Sequence, residues 1–119
     1  MPRTTLTPQN PPGAYPGTIA ANAADMTFAA ADVANKNQFA ATGKELLVVR
    51  NDNVGAQTVT INSVVDTFKR TGDITAYSLG ASEYAFFGPF PVGGWRQTDG
   101  NLYLEGSHAD IKFAVIRLP

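Results

Sequence analysis

The side chains that could do chemistry in this chain are few and scattered. The single histidine, His108, follows Ser107, and a nucleophilic triad would need both residue types beside a carboxylate. The two are adjacent in a polar turn, and neighbouring residues of an extended chain point in opposite directions. We therefore interpret His108 as a solvated loop residue and predict no catalytic base.

The sequence also gives little indication of a metal site, a cofactor site or a pair of catalytic carboxylates. One His and no Cys argue against zinc. Asn51-Asp52-Asn53 lacks the downstream glutamate of a calcium loop, and no glycine-rich phosphate motif is present. Glu83 and Glu105 are the candidates for a glycosidase pair, but nothing in the sequence brings them together. The sequence predicts no enzyme activity, no cofactor and no metal.

Composition narrows the class of partner. The 119 residues fit one domain, and the formal net charge of -1 shows no cluster of cations that would attract nucleic acid. No apolar run is long enough for a membrane span, and the first residues lack the apolar core of a secretory signal. We expect a protein that folds in a cytoplasm and binds neither nucleic acid nor membrane. The charged fraction of only 16% suits a protein packed against a protein partner.

The aromatic residues are the feature of the sequence that says most about binding. Six of them fall between residues 84 and 103. Most should be core, but Phe86 and Phe87 are consecutive, so one of them should face out of a regular strand. Exposed rings indicate either a protein interface or a sugar-stacking platform.

The elements that position these residues are predicted to be strands. Turn residues punctuate the chain every 8–12 residues from Gly43 onward, which predicts seven to nine strands in an all-β sandwich or barrel. The alternative of a helix over Ala20–Ala34 is disfavoured because its larger residues lack helical spacing, and a short strand near 25–30 is preferred.

Two hairpins and one further strand are expected. Lys44–Arg50 should pair with Gln57–Asn62, and Trp95–Thr98 should pair with the strand from Asn101 through the Asp99-Gly100 turn. Val64–Phe68 is expected to form a further short strand or the edge of one.

Residues 1–18 differ from the rest because they hold five of the eight prolines. Proline excludes a helix or an inner strand, so the sequence predicts an extended arm, with a single β-sandwich domain over residues 19–119. The arm is either a frayed terminus or a segment that lies across a neighbouring subunit. In the second case Leu6 and Tyr15 would be its anchors, and its deletion would leave a folded domain.

The chain from Phe28 to Leu118 resembles the small head decoration, or cement, proteins of bacteriophages. The matching residues are Ala30-Ala31-Asp32 with Asn35 and Phe39, Gly43–Asn51, Phe87–Pro91, the Asp99-Gly100 turn and Val115–Leu118. The same features also fit a phage tail or fibre module, and a carbohydrate-binding module is the alternative from another class.

The resemblance implies a jelly-roll-like sandwich in the virion, bound as a homotrimer to the outer surface of the major capsid protein shell. Such a protein stabilises the shell and catalyses nothing. We expect Leu6 and Tyr15 of the arm, and Phe90 and Trp95 near the Gly-Pro corner, to make the contacts.

Overall fold

The fold is seen in a computed structural model, which describes residues 2–12 and 18–119. In these ranges the chain forms nine strands and one four-residue helical segment: β1 (Thr4–Thr5), β2 (Ala29–Ala30), β3 (Asn37–Ala40), β4 (Glu45–Asn51), β5 (Gln57–Asn62), β6 (Ile74–Leu79), β7 (Tyr84–Phe87), α1 (Val92–Trp95), β8 (Asn101–Gly106) and β9 (Ile111–Arg117).

The strands form two packed sheets, which confirms the predicted all-β sandwich. One sheet has the order β1-β3-β8-β5-β6 and the other the order β2-β9-β4-β7. All neighbouring strands are antiparallel except β1 and β3. The core between the sheets follows from period-two alternation, since Leu47 and Val49 of β4 face Val59 and Ile61 of β5 across it.

The predicted hairpin of β4 with β5 is wrong, because the two strands belong to different sheets. β4 pairs with β7 and β9, whereas β5 pairs with β6 and β8. Each strand has one apolar face. Both faces line the same core, one from each sheet, so the two strands are not hydrogen-bonded neighbours. The alternation of apolar and polar residues shows which face of a strand is buried, but it does not show which strand lies next to it in the sheet.

Two further predicted strands do not form. Val64–Phe68 is not a strand, and the Asp66 carboxylate accepts hydrogen bonds from the backbone N–H groups of Phe68 and Arg70 at 2.8 and 2.9 Å. Such local bonds compete with strand pairing. Trp95 ends α1, so there is no strand over Trp95–Thr98, and β8 pairs with β3 and β5.

The alanine-rich segment before β3 is mostly irregular. The preferred strand near 25–30 is confirmed only for Ala29–Ala30, and a turn covers residues 21–24. No helix forms over the described part of residues 19–42. Two side chains of alanine size give β2 little apolar surface, which limits its length.

Residues 4–9, which we call the strap, join the two sheets at one edge. Thr4 and Thr5 lie parallel to β3 of the first sheet, and Gln9 forms a parallel bridge with Ile116 of β9 in the second. Leu6 lies between these contacts, and only 5% of its surface is exposed. This corrects the prediction that Leu6 anchors the arm on a neighbouring subunit, because Leu6 is part of the chain's own core.

The buried carboxylate of Glu45 fixes the end of β4. It accepts hydrogen bonds from the backbone N–H and the hydroxyl of Thr42 at 2.7 and 2.6 Å, and from Nε of Arg117 at 2.6 Å. Burial raises the pKa of Glu45, but the bonds from Thr42 and Arg117 outweigh burial, and the pKa lies below its ordinary value of 4.5.

The first prediction concerns the strap. Leu6→Ala should lower the free energy of unfolding by about 2–4 kcal/mol, as truncation of a buried leucine does. Urea denaturation measures this loss. Val54→Ala is the control, since Val54 is 97% exposed and its change should stay within about 0.5 kcal/mol. Equal stability of both variants would show that the strap is not part of the folded domain.

The second prediction concerns pH. Because folding lowers the pKa of Glu45, the ionised carboxylate stabilises the protein above the unfolded pKa, and this contribution is lost as the pH falls through the folded pKa. Glu45→Gln should therefore reduce stability at pH 7, by up to about 3 kcal/mol for a broken buried pair, and should flatten the loss of stability below about pH 4.5. Chemical denaturation of both proteins across this range is the measurement, and parallel pH curves would contradict the assignment.

Candidate protein interface

The outer face of the β2-β9-β4-β7 sheet carries an apolar surface. Register aligns Ala114, Val48 and Phe86 in one row across β9, β4 and β7, and opposed residues of neighbouring strands share a face. The next rows align Lys112 with Arg50 and Tyr84, and Ile116 with Leu46. We call the apolar members of these rows that are at least partly exposed, together with Phe28, the aromatic face: Phe28, Leu46, Val48, Tyr84, Phe86 and Ile116. Ala114 lies in the same row but is buried.

Two rings of the aromatic face are open to solvent. Phe86 is 75% exposed and Tyr84 is 62% exposed. Both lie on β7, the outer strand of the sheet, so they project beyond the flatter aliphatic surface of β4 and β9. Large exposed rings beside aliphatic side chains are the typical anchors of protein interfaces.

Phe28 organises the centre of the same face. Its ring meets that of Tyr84 edge-on, with centroids 6.5 Å apart and planes at 70°, and the Arg50 guanidinium lies 4.3 Å from its centroid. The Arg50 side chain is held in turn by both carboxylate oxygens of Asp52, at 2.8 and 3.0 Å. The Arg50 guanidinium is therefore held in place beside the rings of Phe28 and Tyr84.

The outer face of the β1-β3-β8-β5-β6 sheet has the opposite character. Its central rows align Gln38 with Tyr103 and Asn62, and Glu105 with Thr60. Lys36 forms an ion pair with Glu105 at 3.1 Å on this side. One face of the sandwich is therefore polar and the other apolar, which is the distribution expected when a single face is covered in use.

The structure places the four predicted contact residues differently from the expectation. Leu6 and Phe90 are each only 5% exposed, and both belong to the core. Trp95 is partly buried, with its ring 5.0 Å from that of Phe90, and packs against the same core. Tyr15 lies outside the described residues. Phe90 and Trp95 come together, but as packing that closes one end of the sandwich, which corrects their assignment as interface anchors.

The candidate catalytic groups do not converge. Nδ1 of His108 accepts a hydrogen bond from the backbone N–H of Asp110 at 3.0 Å, while the Ser107 hydroxyl donates to Gln57 at 2.8 Å. Glu83 accepts from the backbone N–H of Gly80 at 2.6 Å, and Glu105 pairs with Lys36. Each group is engaged in a local turn or surface pair.

Residues 2–12 and 18–119 contain no group of three or more His, Asp or Glu side chains placed to hold a metal ion. No helix within residues 2–12 and 18–119 is long and apolar enough to cross a membrane.

Comparisons of the chain with family models, with curated proteins and with solved structures found no match. The fold and its surfaces define the class, which is an all-β sandwich of two packed sheets with one apolar outer face.

The aromatic face was only partly visible in the sequence. The Phe86-Phe87 pair predicts one outward ring, and the structure shows Phe86 outward and Phe87 packed against the core. Phe28 could not be assigned to the same surface, because it is 58 residues from Phe86 along the chain and reaches that face only through the pairing of β2 with β9.

The third prediction compares two phenylalanines. Phe90→Ala should reduce the free energy of unfolding by about 3–5 kcal/mol because it empties a core position. The same substitution at Phe86 should change it by less than about 1 kcal/mol, since that ring is 75% exposed. Urea denaturation of the two variants checks this order, and a larger loss at Phe86 would contradict the placement of both rings.

Proposed function

We propose that the protein is a bacteriophage capsid decoration protein that binds the outer surface of the major capsid protein shell through its aromatic face and stabilises the shell. The observation that carries the proposal is the contrast between the two outer faces of the sandwich. Tyr84 and Phe86 are exposed on one face, whereas the other face is polar. Exposed rings are costly in water, and a partner that covers them recovers the free energy of burial.

The strand order also supports a role in the virion. Strands β2 to β9 form sheets of order 2-9-4-7 and 3-8-5-6, so the chain crosses repeatedly between the sheets. We assign this order to a jelly roll, the double-sheet arrangement that recurs in viral capsid proteins and in lectins. The jelly roll expected from the resemblance to decoration proteins is thus part of the same proposal.

The mechanism of stabilisation is mass action. A protein that binds the assembled shell, and not its separated subunits, lowers the free energy of the assembled state. No reaction is needed, and the protein acts as a structural component. Binding as a homotrimer, as the resemblance implies, would present three aromatic faces to the shell and raise the effective affinity through multivalency.

The aromatic face has the composition of an interface centre. Tyr84 and Phe86 supply two large rings, and Val48 and Leu46 supply the surrounding aliphatic surface. The rings of Phe28 and Tyr84 meet at 70° and so do not form the flat platform on which sugars stack. This geometry favours a protein partner over the carbohydrate-binding alternative.

The fourth prediction tests this face. The double variant Tyr84→Ser/Phe86→Ser should bind shells about 100-fold or more weakly, because the loss of two rings at an interface centre costs about 3 kcal/mol or more in total. The measurement is co-sedimentation with expanded shells of the major capsid protein from the same genome. Val54→Ser is the matched control, since it removes an apolar side chain that is 97% exposed in the loop between β4 and β5.

Unchanged shell binding by the double variant, with Val54→Ser also unchanged, would exclude the aromatic face as the contact. Binding of the wild-type protein to a glycan array, lost in the double variant and accompanied by no shell binding, would support the carbohydrate-binding alternative. A thermal melt of each variant shows that the loss of binding is not a loss of folding.

A further inference from the structure

The outer edge of β7 presents backbone groups that β4 does not use. The backbone N–H of Asn51 donates to the Glu83 carbonyl at 3.0 Å, which extends the pairing of β4 with β7 by one residue. Hydrogen-bonded and non-hydrogen-bonded pairs alternate along two antiparallel strands. The N–H and C=O groups of Ala85 therefore point toward β4, whereas those of Tyr84 and Phe86 point away from it.

The pairing on the other side of β4 agrees with this alternation. The N–H of Asp52 donates to the Asp110 carbonyl at 2.9 Å, so the even-numbered residues of β4 bond to β9 and the odd-numbered ones to β7. No hydrogen bond within residues 2–12 and 18–119 uses the outward backbone groups of Tyr84 and Phe86. The edge thus offers two donors and two acceptors, which form a template for one further strand.

The other edges of the sandwich are less suited to pairing. β6 is irregular, since its register with β5 shifts between Val59 and Ile61, and Ala76 has a φ of 51°. Such a bulge disrupts the hydrogen-bond pattern and turns an edge away from a further strand. β1 and β2 are only two residues long. β7 has a regular register and contains neither a charged residue nor a proline.

The hydrogen-bonding groups of β7 are complementary to those of a second β7. When two copies of the strand lie antiparallel with Ala85 opposite Ala85, Tyr84 of each copy lies opposite Phe86 of the other. Each of these two pairs exchanges two hydrogen bonds, so every outward N–H and C=O of both residues is bonded. The free edge is also symmetric about Ala85, because a turn ends at residue 82 and Gly88-Pro89 follows the strand.

The side chains favour the same register. It places the ring of Tyr84 beside the ring of Phe86 from the other copy, and aromatic pairs across antiparallel strands are stabilising. Because β7 carries no charge, the two copies bring no like charges together on it. We propose that two copies of this chain pair through β7 across a twofold axis, which joins their four-stranded sheets into one continuous sheet.

This inference goes beyond the proposed function and does not depend on it. The side chains of a strand stand roughly perpendicular to its sheet, so the paired copies present both aromatic faces on the same side of the joined sheet. The contact is isologous, whereas a homotrimer needs a heterologous contact through other surfaces. In a trimeric protein, β7 would therefore join copies that belong to two different trimers.

The first test is a cross-link, and the chain offers a clean background because it contains no cysteine. The two Ala85 residues form a non-hydrogen-bonded pair with Cα atoms about 4.5 Å apart, within the range of about 4.4–6.8 Å that a disulfide spans. Purified Ala85→Cys should therefore become a disulfide-linked dimer in air, as seen on a non-reducing gel. Val54→Cys, in an exposed loop, and Ser78→Cys, on β6, are the controls and should stay monomeric.

A mixture of two variants checks the register and replaces Ala85→Cys if that variant does not fold. Tyr84→Cys and Phe86→Cys should form a linked dimer when they are mixed, because the two positions are opposed with Cα atoms about 5.5 Å apart. Neither variant should cross-link alone, since each cysteine then lies opposite an aromatic residue.

The second test separates the backbone bonds from the rings. Phe86→Pro and Phe86→Ser both remove the ring, but only proline also removes the N–H that points outward, and it leaves the bonds to β4 in place. In sedimentation equilibrium the association constant of Phe86→Pro should be about tenfold or more below that of Phe86→Ser, because one donor is lost from each copy. Thermal melts show whether both variants fold.

Three outcomes would overturn the twofold contact. They are a monomeric wild type, equal association of Phe86→Pro and Phe86→Ser, and the absence of a cross-link both in Ala85→Cys and in the mixture. A cross-link in Ser78→Cys alone would assign the contact to β6. A monomeric wild type whose shell binding is weaker in Phe86→Pro than in Phe86→Ser would assign the β7 edge to an extended segment of the shell. The association measurements use purified protein without shells, so their failure is distinct from a failure of shell binding.

Discussion

The pairing of β4 with β9 is the interaction on which the rest of the structure depends. The two strands pair from Glu45↔Arg117 to Asn51↔Ile111, at the centre of the four-stranded sheet. Buried polar side chains hold both ends of β4. Glu45 binds Thr42 and Arg117, and the amide of Asn51 donates to the carbonyls of Leu79 and Gly80 near the other sheet at 3.0 and 3.1 Å. Loss of the contacts at either end of β4 would leave a buried polar group unpaired. The free-energy cost of such an unpaired group is larger than the net stabilisation that the hydrogen bond contributes.

The pairing of β4 with β9 determines which residues of the four-stranded sheet face outward. Because β4 and β9 turn Leu47, Val49, Phe113 and Val115 inward, their alternate residues must face out, and on this sheet those residues are largely apolar. The strap closes the adjacent edge by crossing from β3 to β9 with Leu6 between the sheets. Folding therefore uses the first residues of the chain to complete its own core, and leaves Tyr84 and Phe86 exposed on the outer face of the four-stranded sheet.

Much of the fold was predictable from local pattern. β5 has the predicted bounds, and β4 lies one residue from its predicted bounds, because an apolar or alternating run between turn residues leaves few other conformations. The pairing of β4 with β5 and the strand over Val64–Phe68 were wrong. The first depends on contacts between residues distant in the chain, and the second on the Asp66 carboxylate, which binds the backbone N–H groups that a strand would have used.

The sequence by itself determined the all-β class and that one ring of the Phe86-Phe87 pair faces outward, because these follow from side-chain period and residue type. Only the tertiary structure decided which rings are exposed and which are core. Phe90 and Phe68 are the same residue type near turns, yet Phe90 is 5% exposed in the core and Phe68 is 75% exposed in the loop between β5 and β6. The difference comes from what the fold brings against each ring: Trp95 covers Phe90, whereas Asp66 holds its loop so that Phe68 faces solvent.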